Sequence, residues 1–370
     1  MSSFSFPKNQ LMQVLKNPDY QIEIGPIIES SFETFIKNNY SKSKIILIVD
    51  ENTNEYCLEY LITTFDFLAE AEVMLLPAGE ENKVMEVCFQ VWEALSEYGV
   101  GRKDLIINLG GGIVSDMGGF IASIYKRGVD FINIPTTLLG MIDASIGGKT
   151  GIDLGIYKNQ LGVFNNPKAI YIDTIFLQTL EPKEMLNGFA EALKHALIND
   201  AVLWEELSHL ENLEYSIDDD LLRRIIEIKL NIVNIDSTEH GVRKILNFGH
   251  TVGHAIEGHF LYTSPIDHGH AVALGIITES YISNRLGKLS KEEFLKIEQL
   301  ILEWFPIPSI SMSDIQGVIE LMHNDKKNHS GKIQCCLIDK IGNCLYDQPI
   351  DEGVFADSLV YLMSKSVSLN

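Results

Sequence analysis

Through the first 173 residues, short apolar runs rich in Ile and Val alternate with longer stretches whose apolar positions recur every three or four residues. QIEIG (21–25), KIILIVD (44–50), EVMLLPAG (72–79), DLIINLGGG (104–112) and FINIPTT (131–137) are bounded by turn or glycine signals, which marks them as strands. Between them NEYCLEYLITTFDFL (54–68) and KVMEVCFQVWEALSEYG (83–99) have helical spacing. Such alternation predicts a mostly parallel, Rossmann-like α/β sheet with helices on both faces. After Asp173 the period changes. From there to about Asp325 nearly every segment is helical in pattern, as in LLRRIIEIKLNIVNI (221–235) and EEFLKIEQLILEWF (292–305). The boundary therefore falls at Asp173, giving an α/β nucleotide-binding domain over 1–173 and a mainly α-helical domain over 174–370. Within the latter, KIQCCLID (332–339) and GNCLYD (342–347) predict a small hairpin across IGN.

A chain of 370 residues, 46% hydrophobic and 22% charged, is long enough for two buried cores. Its formal net charge of -22 argues against a nucleic-acid partner, which needs a basic surface. An anionic small molecule stays open, because a pocket can be locally basic. No apolar run approaches the length of a membrane-spanning helix, and MSSFSFPKNQLMQVLK has neither the basic start nor the apolar block of a secretion signal. A cytoplasmic protein is expected. Five cysteines without a CxxC pair agree with reduced thiols.

Three segments carry candidate chemistry. KILNFGHTVGHAIE puts His250 and His254 on one helical face, and His268 follows in SPIDHGHAVALGI. Neutral imidazoles suit a divalent metal, but Thr251 stands where the metalloprotease signature needs Glu, and local packing explains such a pair equally well. Gly110–Gly112 closes a strand at a helix start, which suits either a phosphate or a tight turn. DASIGGKTG is not a nucleoside-triphosphate loop, because Asp143 occupies the position of its first glycine. Scattered cations (Arg127, Lys149, Lys158, Lys194, Lys229, Arg243) individually read as surface charges. Yet Lys149 and Lys158 sit in turn-like sequence, where function concentrates, and Lys194 shares a helical face with Glu191.

The order and lengths of GEENK, GGGIVSDMGGFIAS, KRG, IPTTLLGMIDASIGGKTGID, YKN, FLQTL, NGFAEALKHALI, KLNIVNIDSTEHGVRKILNFGHTVGHAIE, HGHAVALG and NDKKNHSG resemble the 3-dehydroquinate synthases of the sugar phosphate cyclase superfamily, from about Asp50 to Gly342. The resemblance implies one Zn²⁺ or Co²⁺ held by Glu191, His250 and His268, with proton transfer by His254 and Glu239. It implies substrate contacts from Arg127, Asp143, Lys149, Asn159, Lys194, Lys229, Arg243, Asn247, His254 and Lys326 or Lys327. Lys229 and Arg243 would hold the carboxylate and Lys149, Asn159 and His254 the phosphate, with Arg127 supplied by the second subunit of a homodimer. NAD would meet Asp50, Asn52, Glu80, Lys83, Gly111, Gly112, Asp116, Thr136, Thr137, Lys158, Phe176, Thr179 and Asn187. Asp50 closes its strand where an acid can accept from a nucleotide's sugar hydroxyls. The implied reaction turns 3-deoxy-D-arabino-heptulosonate 7-phosphate into 3-dehydroquinate and phosphate through transient oxidation, β-elimination, re-reduction, ring opening and an aldol closure, in the shikimate route to chorismate and the aromatic amino acids.

One position departs from the family pattern. Many members have HGEAVA where this chain has HGHAVA, so His270 replaces a Glu two residues after the third ligand. A tolerated change and an altered tuning of the metal are both open. Related cyclases that form 2-deoxy-scyllo-inosose or an epi-valiolone act on substrates without a carboxylate and need no pair like Lys229 and Arg243. A metal-dependent alcohol or glycerol dehydrogenase of the same fold would make NADH in net amounts.

Overall fold

The computed structural model describes residues 12–155, 157–213, 216–323 and 332–366. Two compact units emerge, Met1–Met185 with Glu214–Leu230, and Leu186–Leu213 with Asn231–Asn370.

The first unit is built on strands β1 (Gln13–Lys16), β2 (Gln21–Ile24), β3 (Ile45–Asp50), β4 (Glu72–Leu76), β5 (Leu105–Gly110), β6 (Asp130–Pro135), β7 (Lys149–Leu154), β8 (Tyr157–Phe164) and β9 (Ala169–Ile172). Seven form one sheet in the order β1-β2-β9-β6-β5-β3-β4, parallel throughout except for β1 against β2. Its central strands are apolar at consecutive positions because both faces are covered, and all six residues of β5 are buried. Helices α1 (Phe32–Tyr40), α2 (Glu51–Tyr56), α3 (Leu58–Thr64), α4 (Met85–Glu97) and α5 (Gly112–Ile124) join the strands. One apolar core gathers Ile46, Ile48, Ile106, Val114, Phe120, Phe131 and Ile152.

From β3 the chain steps outward to β4 and then returns to the other side of β3 for β5. This reversal opens a crevice at the carboxyl ends of β3 and β5, where doubly wound sheets bind ligands. Asp50 closes β3 there, and Gly110–Gly112 links β5 to α5.

β7 and β8 form a separate antiparallel hairpin. Lys149 and Lys158 therefore lie on paired strands, not in the loops their turn-like sequence suggests.

The second unit is mainly helical, as the period change predicts. The division between units falls inside α6 (Pro182–Asn199) and again inside α8 (Asp219–Ile235). Further helices are α7 (Ala201–Ser208), α9 (His250–Phe260), α10 (His268–Arg285), α11 (Lys291–Trp304), α12 (Met312–His323) and α13 (Glu352–Ser366). The C-terminal hairpin is present as β10 (Lys332–Lys340) and β11 (Asn343–Asp351). No helix among the described residues is long and apolar enough to cross a membrane.

Candidate metal centre and nucleotide crevice

In the second unit, Glu191 comes from α6, His250 opens α9 and His268 opens α10. Glu191 is fully buried, and its Oε1 lies 3.3 Å from Nε2 of His250 and 3.3 Å from Nε2 of His268. A tetrahedral ion with bonds of about 2.05 Å has ligand–ligand edges of about 3.3 Å, so these atoms already stand at metal-ligand spacing. The far ring nitrogens are engaged. Nδ1 of His268 faces Glu257 Oε2 at 3.2 Å, and Nδ1 of His250 faces the Phe248 carbonyl at 3.2 Å. With Nδ1 donating, Nε2 is the nitrogen left to face a cation, on His268 once the metal displaces the proton shared with Glu191. The donor set and its orientation fit a divalent metal with coordination positions to spare.

The electrostatics agree. Burial opposes charge on Glu191, but Lys194 and His250 outweigh it and hold the carboxyl well below its ordinary value. Burial and the nearby Lys194 cation keep His250 below its ordinary value despite Glu191. Burial also works against charge on His268, yet hydrogen bonds and charges of Glu191 and Glu257 prevail and raise it to about 10. Without metal, a proton on His268 offsets the paired carboxylates. Lys194, itself 1% exposed, forms an ion pair with Glu191 Oε2. The His254 ring centroid is 5.0 Å from that of His250 and 5.8 Å from that of His268.

Nearby in the same unit, Asp236 accepts from the backbone N–H groups of His240, Gly241 and Arg243, shaping the DSTEHG loop. Glu239 on this loop has φ 62, an uncommon conformation for a non-glycine residue, and accepts from Asn247 Nδ2 at 2.5 Å. Arg243 is 1% exposed and donates to the Ser237 carbonyl. Asn187 accepts the N–H of Gly269, beside His268, so this unit joins it to the ligand helices while the other NAD candidates lie in the first unit. His270 is 2.7 Å from the Pro306 carbonyl and packs near Phe305. Burial pushes its pKa down.

In the first unit, Asp50 caps α2. Its Oδ1 accepts from the N–H and hydroxyl of Thr53, and Asn52, two residues after Asp50, is exposed. The β5–α5 turn must be glycine at Gly111, where a Cβ would stand 2.8 Å from Thr137 Cγ2. Gly111 precedes α5 without any side-chain cap, so the helix presents backbone N–H groups to an anion. Next to this turn, Thr136 Oγ1 is buried with no hydrogen-bond partner among the described residues. A bare helix start, an orphaned hydroxyl and a strand-ending acid fit a dinucleotide. Thr137 Oγ1 accepts from Gly140, Phe176 packs on Tyr60 and Thr179 donates to the Phe176 carbonyl.

A polar chain, buried at Lys83 and Asp153, links several of the first unit's candidate residues. Lys83 Nζ donates to Asp116 Oδ2 at 2.6 Å and Asn159 Oδ1 at 2.8 Å. Lys158 Nζ reaches Glu80 at 3.0 Å and Asp153 at 3.2 Å, while Asp153 accepts the N–H of Asn159, itself at φ 52. Lys229 pairs with Asp143 at 2.6 Å, within a single π-type turn, Gly140–Ala144. Lys149 is exposed at the start of β7. Arg127 is exposed at φ 67 beside Lys126 at φ 49. Lys326 and Lys327 lie outside the described residues.

Sequence reasoning missed three buried acids. Asp153 gave no signal. Glu257 lies three residues after His254 on the same helical face, and Glu279 lies eleven residues, about three turns, after His268. Their places on the ligand-bearing helices were legible, but their partners, His268 for Glu257 and the N–H groups of Gly249 and Val252 for Glu279, lie on the other helix.

Fold comparison defines the class first. The chain superposes on a crystal structure of 2-deoxy-scyllo-inosose synthase with a TM-score of 0.81 at 22% identity, covering 95% of this chain and 99% of that one. A 2-epi-5-epi-valiolone synthase from Streptomyces hygroscopicus, solved with NAD⁺ and Zn²⁺ bound, matches with a TM-score of 0.78 at 26% identity, covering 96% and 99%. This is the sugar phosphate cyclase fold. Family models sharpen the assignment: 3-dehydroquinate synthase N-terminal matches residues 73–187, and 3-dehydroquinate synthase C-terminal matches residues 188–328. The 3-dehydroquinate synthase of Parabacteroides distasonis is 38% identical over 92% of this chain and 97% of its own length. That of Rippkaea orientalis is 34% identical over 95% and 98%. The chain belongs to the 3-dehydroquinate synthase family.

Proposed function

We propose that this chain is a carbon–oxygen lyase that converts 3-deoxy-D-arabino-heptulosonate 7-phosphate into 3-dehydroquinate and phosphate, using NAD and one Zn²⁺ or Co²⁺. The observation that carries the proposal is the trio Glu191, His250 and His268, with one Glu191 oxygen 3.3 Å from each imidazole Nε2 and all three ligand atoms within 4.8 Å of one another, in a chain matched by both family models. NAD binding is assigned to 1–173 with Phe176, Thr179 and Asn187 from beyond it, and metal and substrate binding to 174–370 together with the substrate residues named for the first segment.

When bound, the metal supplies Lewis acidity toward an alkoxide or carbonyl oxygen, and the nicotinamide accepts and later returns a hydride. Glu191, His250 and His268 would hold the ion. Lys194 keeps Glu191 ionised and offers a cation to substrate oxygen. Glu239, fixed by Asn247 in a left-handed backbone, and His254 are the acid–base pair. Strain of this sort concentrates where geometry serves chemistry. Arg243 and Lys229 would take the substrate carboxylate, with Asp143 as the resting partner of Lys229. Lys149, Asn159 and His254 would take the phosphate, and anchoring both anionic ends holds one conformation through several steps. Asp50, Asn52, Glu80, Lys83, Gly111, Gly112, Asp116, Thr136, Thr137, Lys158, Phe176, Thr179 and Asn187 are proposed for NAD. We further propose a cytoplasmic homodimer in which exposed Arg127 serves the other copy's substrate.

Substrate choice tests the proposal. The purified chain with NAD⁺ and Zn²⁺ should release phosphate from the heptulosonate 7-phosphate, and not from a hexose or heptulose phosphate lacking the carboxylate. Release from the neutral sugar phosphate alone would replace this reading with another cyclase.

A further inference from the structure

Helix α9 begins without a side-chain cap of its own: Gly249, at φ 80, precedes His250. The acceptor comes from α10. Glu279 takes the N–H of Gly249 on Oε2 at 2.7 Å and that of Val252 on Oε1 at 3.3 Å, so the N–H donors on both sides of His250 are held by one carboxylate. In the other direction, Glu257 of α9 faces Nδ1 of His268, the residue that opens α10, at 3.2 Å. Both acids are buried, at 0% exposed for Glu279 and 5% for Glu257. The helices meet closely. A methyl group on Gly275 of α10 would overlap the Gly249 carbonyl, and one on Gly253 of α9 would stand 2.9 Å from the Ala271 carbonyl.

We propose that Glu257 and Glu279 form a reciprocal clasp, each carried by one ligand-bearing helix and gripping the start of the other, which sets the separation and ring orientation of His250 and His268. They are positioning residues for the metal, and the inference rests on the metal-site reading above. A helix N-terminus attracts an anion, so Glu279 has a stabilising role in any case. That role alone would not explain why its grip brackets a candidate ligand while Glu257 grips the other. Polar groups behind metal ligands typically change affinity by roughly tenfold to a hundredfold when removed.

The test uses Glu257→Gln, Glu279→Gln and the double variant of the full chain. It reads the Zn²⁺ dissociation constant by chelator competition, the visible absorption of the Co²⁺-loaded protein, and the melting temperature after chelation. Each single change should weaken metal binding by roughly tenfold to a hundredfold and shift the Co²⁺ bands. The double variant should lose less than the product of the singles, because both grips fix one separation. Lower melting temperatures with unchanged metal affinity and unchanged Co²⁺ bands would overturn the clasp. If Glu279→Gln fails to fold, Glu257→Gln decides alone, since it leaves the cap of α9 in place. A wild-type chain that takes up no stoichiometric metal would instead overturn the site on which the clasp rests.

Discussion

Lys83→Met probes the buried polar chain of the first unit. The Lys83 side chain is 5% exposed and supplies the close cation for Asp116, at 2.6 Å, while Glu80 lies 4.0 Å away. Methionine keeps most of the volume and removes the charge, leaving Asp116 without its partner. Breaking a buried pair in this way costs about 3–5 kcal/mol. Asp116 is 19% exposed and can draw in water, which favours the lower end, about 3 kcal/mol. For a unit of this size each kcal/mol lowers the melting temperature by about 2–4 °C, so a fall of roughly 6–12 °C is expected in a calorimetric scan. Replacing both partners, as in Lys83→Met with Asp116→Leu, should recover much of the loss, because the stranded charge is gone. The sign with pH also follows. Despite burial, Asp116, Glu80 and Asp153 raise Lys83 above its ordinary 10.5, so its stabilisation is fully present below that value and is lost only as pH climbs through the raised one. A Lys83→Met protein melting within about 2 °C of the wild type would refute this reasoning.

Other outcomes follow from the metal centre. Because Glu191 and Glu257 raise His268 to about 10 in the metal-free protein, the metal must displace a proton there. Affinity should climb by up to roughly tenfold per pH unit from pH 7 toward pH 10, and a chelator-competition series showing no dependence would contradict it. In the metal-free protein the same raised pKa contributes stability that is full below the unfolded value of 6.5 and is lost as pH rises through about 10. His270→Glu should keep turnover within about threefold, because His270 is engaged with the Pro306 carbonyl and Phe305 and an uninvolved position changes little. Loss of turnover in a folded, metal-loaded His270→Glu protein would show that the position tunes the metal.

The strands of the parallel sheet were legible because burial on both faces leaves unbroken apolar runs such as IILIVD and LIINLG. The β7–β8 hairpin was not. β8 is mostly exposed or half-buried, and Gly151 sits opposite Gly162, so the residues that permit close pairing read as turn residues. β1, four residues at the sheet edge, is too short to show a period. At the metal centre the spacing of His250 and His254 announced a face but not its partner. Glu191 comes from another helix 59 residues earlier in the chain, and only the fold brings it to 3.3 Å. The roles of the two histidines came from family resemblance, and the geometry gives the resemblance a physical setting without the chain alone having specified it. Asp153 had no sequence signal because Lys83 reaches it only through tertiary packing and Lys158 only through the β7–β8 hairpin, which the sequence did not reveal.

Stoichiometry of the cofactor tests the central claim most directly. The chain, loaded with Zn²⁺, is given heptulosonate 7-phosphate and far less NAD⁺ than substrate, with dehydroquinate, phosphate and NADH absorbance followed together. Many equivalents of dehydroquinate and phosphate per NAD⁺, in equal amounts, without NADH accumulating and with turnover stopped by a chelator, are the predicted result. Product limited to one equivalent per NAD⁺, with NADH rising in step, would contradict the account and identify a dehydrogenase.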